Sequence, residues 1–198
     1  MSGDFDRARE LATQGGELLH ELGAAAIAAR TSDVLSRIEL LAGDAEAAEA
    51  KLRADFEVLT AMDENFVRPN IAALLSKALL ELGRSDEAEE LARVAEEIAS
   101  PDDVEAQALL RSVRARILAA RGRDAEARAL AAEVLELVAA TDAPVLRADS
   151  LLDLAEALES APEERAAALE EARALYEQKR HLVGIARVEA ELVVAPVS

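Results

Sequence analysis

The chain has 198 residues, 52% of them hydrophobic but only 2% aromatic, with 40 acidic and 22 basic residues for a net charge of −18. Ala, Leu and Val must therefore build any core, which favours closely packed helices over a β-sheet, and so acidic a field repels nucleic-acid phosphates and anionic lipid. With no cysteine there is neither a disulfide framework nor a thiolate metal site. The start, Met1-Ser2-Gly3-Asp4, lacks the basic and apolar regions of a secretory signal, and no apolar run is long enough to span a membrane. Together these features point to the cytoplasm.

A first helix is predicted over 4–22, with Phe5, Ala8, Leu11, Leu18, Leu19 and Leu22 as its apolar positions. Gly15-Gly16 in its middle costs roughly 1 kcal/mol per exposed glycine and predicts a bend or fraying there. This helix has no partner before it, which points to a longer chain upstream. The next helix, 24–42, ends at Gly43, and Asp44 and Glu46 open the following one, which runs to about Met62. Asn65 is the expected N-cap of the helix ending at Gly83, with Pro69 tolerated in its first turn. After a helix at 86–99, Ser100-Pro101-Asp102-Asp103 reads as a helix start with a capping serine and proline first. Helices at 102–121, 124–140, 145–159, 162–179 and 181–193 complete the chain, with Ser160 and Glu163 as a capping box and the last helix as a cap. Every connector is short, so the whole of 1–198 reads as a single domain.

One short pattern recurs through these elements. A glycine is followed five residues later by an alanine at Gly3/Ala8, Gly43/Ala48, Gly83/Ala88 and Gly122/Ala127, with a degraded copy from Ala161 to Ala166. The period of 39–40 residues is the signature of a stacked repeat. Ser36, Ser76 and Ala115, seven residues before three of the glycines, supply the small side chains that close helix packing needs.

Helix pairs with this Gly-x-x-x-x-Ala junction resemble tetratricopeptide (TPR) repeats. The resemblance implies an all-α, TPR-like right-handed α-solenoid of antiparallel helix pairs. A narrower likeness lies in Ser36-Arg37-Ile38-Glu39-Leu40-Leu41-Ala42-Gly43-Asp44, in Pro101-Asp102-Asp103-Val104 and in Arg111-Ser112-Val113-Arg114-Ala115-Arg116 with Ile117-Leu118-Ala119-Ala120-Arg121-Gly122. Over roughly 4–194 these stretches resemble the C-terminal repeat region of actinobacterial multidomain regulators. Such regulators join a nucleotide-cyclase or DNA-binding module to an AAA-like ATPase. No catalytic residue is carried over, and the chain contains no Gly-x-x-x-x-Gly-Lys-Ser/Thr phosphate loop.

Six residues before the junction glycines stand Arg37, Lys77 and Arg116. In the repeat fold that position faces the concave groove, so the three form a basic ladder, which Arg30 and Asn70 extend from two turns earlier. Such a ladder suits an acidic peptide or the carboxylates of a protein surface. The opposing reading is simple pairing with neighbouring acids, worth about 0–1 kcal/mol for an exposed pair. Arg111, Arg114, Arg116, Arg121 and Arg123 read as a solvated, ion-paired face rather than a nucleic-acid site. Asp102-Asp103-Val104-Glu105 superficially resembles an acidic metal motif, but at a helix start such acids serve the dipole. His20 and His181 have no ligand or nucleophile partner at a recognisable spacing, and Tyr176 is expected to pack near the C-terminal cap. No catalytic, cofactor or metal set is read. The expected function is a non-catalytic protein-interaction module whose partner is a protein, an acidic peptide or a sister domain of a larger polypeptide. Two other readings stand beside it: a small-molecule-sensing arm of a signalling ATPase, and structural self-association as a homo-oligomer.

Overall fold

The structure, a computed structural model, describes residues 3–194, without the side chains of 25, 26, 29–32 and 194. The described residues form helices and connecting turns only: α1 (Phe5–Glu21), α2 (Ala25–Ala42), α3 (Ala45–Ala61), α4 (Arg68–Glu81), α5 (Ser85–Ile98), α6 (Val104–Ala120), α7 (Asp124–Ala139), α8 (Pro144–Ala157), α9 (Pro162–Lys179) and α10 (Leu182–Val194). The chain falls into two compact units. Asp4–Leu110 forms one; the stretch from Arg111 onward, with the extreme N-terminus, forms the other.

The recurring glycine has a definite backbone task. At Gly43 (φ 82°) the chain turns left-handed, so that the Asp44 N–H donates to Glu39 O at 2.9 Å and the Gly43 N–H to Leu40 O at 3.2 Å. This is the Schellman closure, which satisfies carbonyls at the helix end and suits glycine because no Cβ clashes. Gly83 and Gly122 end α4 and α6 with the same pair of bonds. The alanine five residues on then sits where the next helix crosses its partner. Ala48, Ala88 and Ala127 are fully buried, and so are Ser36, Ser76 and Ala115, the small residues one helix earlier. Ala8, at the same place in α1, is only half-buried, and α1 buries no residue completely. The helix is nevertheless continuous through Gly15-Gly16.

In the first unit α1 packs on α2, α2 on α3, α3 on α4 and α4 on α5. Ala72 and Ala73 of α4 meet Ala92 and Ala95 of α5 and Leu110 of α6 in a small-residue core. In the second unit α7, α8, α9 and α10 pack in succession. There Leu151, Leu152, Leu169, Tyr176 and Val188 form a core that half-buried Ile185 and Leu192 of α10 close over.

Several helix starts differ from the expectation. Asn65 does not cap α4. Glu64 does, its carboxylate accepting from the backbone N–H of Phe66, Val67 and Arg68 at 2.7–3.2 Å. At α6, Ser100 and Pro101 stand in a preceding turn, and Asp103 caps the helix by accepting from the Ala106 N–H at 3.1 Å. Ser160 and Glu163 form no capping box: α9 begins at Pro162 with no side-chain cap. The fifth repeat is also one residue out of register with the degraded copy read at Ala161 to Ala166. Ala166 is exposed, and Arg165 holds the fourth helical position that Ala127 holds in α7. It bonds Glu191 of α10 at 2.6 Å.

Candidate protein-interaction face

The first unit brings α2, α4 and the start of α6 together around a cleft of about 350 Å³, lined by Asp33, Phe66, Asn70, Asp102, Asp103 and Glu105 among others. Two long-range contacts build its walls. Arg37 on α2 donates Nε–H to Asp33 Oδ1 at 2.6 Å and Nη2–H to Glu105 Oε1 of α6 at 2.6 Å. Asn70 on α4 donates Nδ2–H to Asp103 Oδ2 at 2.9 Å, while the other Asp103 oxygen caps α6. One arginine on α2 and one amide on α4 thus each hold a carboxylate at the start of α6 in place.

The loop between α3 and α4 presents the rim. Asp63 takes the left-handed conformation (φ 51°) and lets Glu64 N–H reach Leu59 O at 3.0 Å. The Glu64 carboxylate then gathers the next three backbone N–H groups, as above. Val67 is turned inward and buried, and Phe66 outward, 75% exposed beside the carboxylates. A large exposed aromatic next to acids is suited to hold an ammonium or guanidinium by cation–π attraction.

The expected ladder residues are distributed unequally. Arg37 and Asn70 meet at the cleft. Lys77 lies two turns beyond Asn70 on α4, half-buried. Arg116 belongs to the second unit, where it is 8% exposed and paired with Glu156. Arg30 lies on α2, its side chain outside the described residues. Within the basic cluster, Arg123 bonds Glu126 at 2.6 Å and Arg111 lies 3.7 Å from Glu133, so ion pairing holds as expected; the burial of Arg116 does not fit a solvated face. Phe66 is absent from the expected groove residues, and Asp103 and Glu105 are expected from the sequence only to serve the helix dipole. A signal existed: both the α4 and the α6 starts crowd polar and acidic residues at one end of their helices. Among the described residues, no three His, Cys, Asp or Glu converge tightly enough to hold a metal ion, these carboxylates included. Nor is any described helix long and apolar enough to cross a membrane.

No family model and no curated protein sequence matches the chain. Solved structures do. BtubC (BKLC) from P. vanneervenii superposes with a TM-score of 0.60 at 17% identity, covering 98% of this chain and 94% of that one. A putative kinesin light chain from Podosopora anserina with nearly identical TPR-like repeats gives 0.52 at 21% identity, covering 90% of each chain. The fold is a TPR-like helical repeat. At these identities the likeness is one of fold alone.

Proposed function

We propose that residues 1–198 act as one non-catalytic protein-interaction domain, and that the cleft between α2, α4 and α6 receives a basic segment of the partner. The observation that carries this reading is the charge of the cleft. Four carboxylates, Asp33, Asp102, Asp103 and Glu105, line it, and Arg37 bonds two of them, Asp33 and Glu105. An incoming acidic peptide would have to displace those carboxylates from Arg37. An incoming Lys or Arg meets Asp102 and Glu105 at the surface, with the Phe66 ring beside them. Of the five expected groove residues the proposal therefore uses Arg37 and Asn70, as groups that position acids, and reverses the expected sign of the ligand. In the setting that the resemblance implies, the partner is a sister module of a larger regulator.

Affinity capture with wild type and a Phe66→Ser/Asp102→Lys variant tests this. Both residues are exposed, so the fold should be retained, which circular dichroism checks. A partner held by wild type, released by moderate salt and bound about tenfold or more weakly by the variant is expected. A partner held equally by both would overturn the assignment to this cleft.

A further inference from the structure

A second surface of the first unit has the features of a docking site, and it lies on α1 and α2 rather than in the cleft. The inner side of α1 rests on α2 through half-buried Ala8, Ala12 and Leu19. Arg9 clamps it there with three bonds of 2.7–3.0 Å to the buried Glu39 carboxylate. The exposed flank beside it carries Leu11, Leu18 and Leu22, which are 52%, 61% and 79% exposed. Offsets of seven and eleven residues place these three within about 20° of one line along a helix. On the neighbouring helix Ile27 and Val34, seven residues apart, are also more than half exposed.

A glutamate directly precedes each of these leucines: Glu10-Leu11, Glu17-Leu18 and Glu21-Leu22. All three glutamates are exposed. One residue is about 100° of helical rotation, so the glutamates form their own row along one flank of the leucine row. Among the described residues, Arg7 bonds Glu10 at 2.5 Å and offsets part of the charge. An apolar stripe bordered by a parallel acidic row is complementary to an amphipathic helix with leucine-like anchors and flanking Lys or Arg. A second copy of the chain is the poorer fit, because it would bring an identical glutamate row and another net charge of −18.

We propose that the exposed flank of α1, with Ile27 and Val34, docks a basic amphipathic helix of a partner protein, about three turns long to match the span from Leu11 to Leu22.

The test uses the full chain and a fluorescein-labelled 18-residue peptide with leucines at helical spacing and lysines elsewhere, read by fluorescence anisotropy. A second peptide replaces every lysine with glutamate. The proteins are wild type, Leu11→Gln/Leu18→Gln/Leu22→Gln and Glu10→Gln/Glu17→Gln/Glu21→Gln, with Phe66→Ser/Asp102→Lys to isolate the cleft. Glutamine keeps helix propensity, and all six substituted α1 residues are exposed. The lysine peptide is expected to bind wild type and the cleft variant alike, and each α1 variant about tenfold or more weakly. Its binding should weaken with salt, and the glutamate peptide should bind at least about tenfold less. Three results would overturn the proposal: no binding of the lysine peptide, binding to both α1 variants as tight as to wild type, or a wild-type dimer in light scattering that the leucine variant abolishes. The last would make a second copy the occupant. Loss of binding in the cleft variant alone would assign the peptide to the cleft instead.

Discussion

The α1–α2 edge of the first unit is open, whereas the α8–α10 edge of the second is sealed. α1 buries no residue, and Leu11, Leu18 and Leu22 stand in solvent. α10 sends Val183 and Val188 into a core, where Tyr176 of α9 is 1% exposed and donates its hydroxyl to Asp149 of α8 at 2.6 Å. Two small features lock that packing. Gly184 lies so close to the Tyr176 ring that a Cβ there would come within 2.6 Å of it. His181 caps α10, its Nδ1 accepting the Gly184 N–H at 2.9 Å, and its ring sits 5.1 Å from that of Tyr176. Apolar content does not by itself close a helix onto its neighbour. Closure at α10 depends on one aromatic, one absent side chain and one capped helix end.

The largest difference should appear at equivalent alanines. Ala88→Leu forces a larger side chain into a fully buried crossing and is expected to cost up to about 3 kcal/mol in urea unfolding. Ala8→Leu, at the same repeat position on half-buried α1, should stay within about 0.5 kcal/mol of wild type. Equal costs would mean that α1 is packed as tightly as the inner helices, and the contrast between the edges would collapse. Gly184→Ala comes next. Alanine ordinarily favours a helix by about 1 kcal/mol over glycine, but here the methyl group meets a buried ring that has no room to retreat. A net loss of roughly 1–2 kcal/mol is expected by thermal unfolding, whereas a gain would show that the α9–α10 contact is loose.

The same contrast separates what could be read from the sequence from what could not. The junction pattern was legible because glycine and alanine act locally: one turns the chain left-handed, and the other leaves space at the crossing. Gly43, Gly83 and Gly122 with Ala48, Ala88 and Ala127 carry the repeat without reference to anything distant. Caps were less legible. Glu64 rather than Asn65 reaches the α4 N–H groups because Asp63 has already turned the loop, and that conformation has no sequence marker as plain as glycine. The register slip at Arg165 follows from the same cause, since Ser160 replaced the glycine that marked every earlier junction. The polarity of the cleft was not legible at all. It depends on Arg37 meeting Glu105, 68 residues away, and Asn70 meeting Asp103, 33 residues away. His181 has no ligand or nucleophile partner in the sequence, and its capping role is not legible there because histidine is not among the usual N-cap residues.

That cap makes the sealed edge, unlike the open one, sensitive to mild acid. Nδ1 must stay unprotonated to accept the Gly184 N–H. Burial pushes the His181 pKa below the ordinary histidine value; Asp149 opposes the shift and Arg187 adds to it. The fold therefore prefers neutral histidine, while the unfolded chain takes up a proton near its usual pKa of about 6.5. Stability from this residue is fully present above about pH 6.5 and is lost as pH falls through that value toward the lower pKa of the folded state. Between pH 7.5 and 5.5 a loss of stability is expected, the smallest of the three effects. His181→Asn keeps a capping acceptor that does not titrate and should flatten this part of the melting-temperature profile. If His181→Asn melts with the wild-type pH dependence, the His181 cap does not control the docking of α10, and its closure rests on Tyr176 and Gly184 alone.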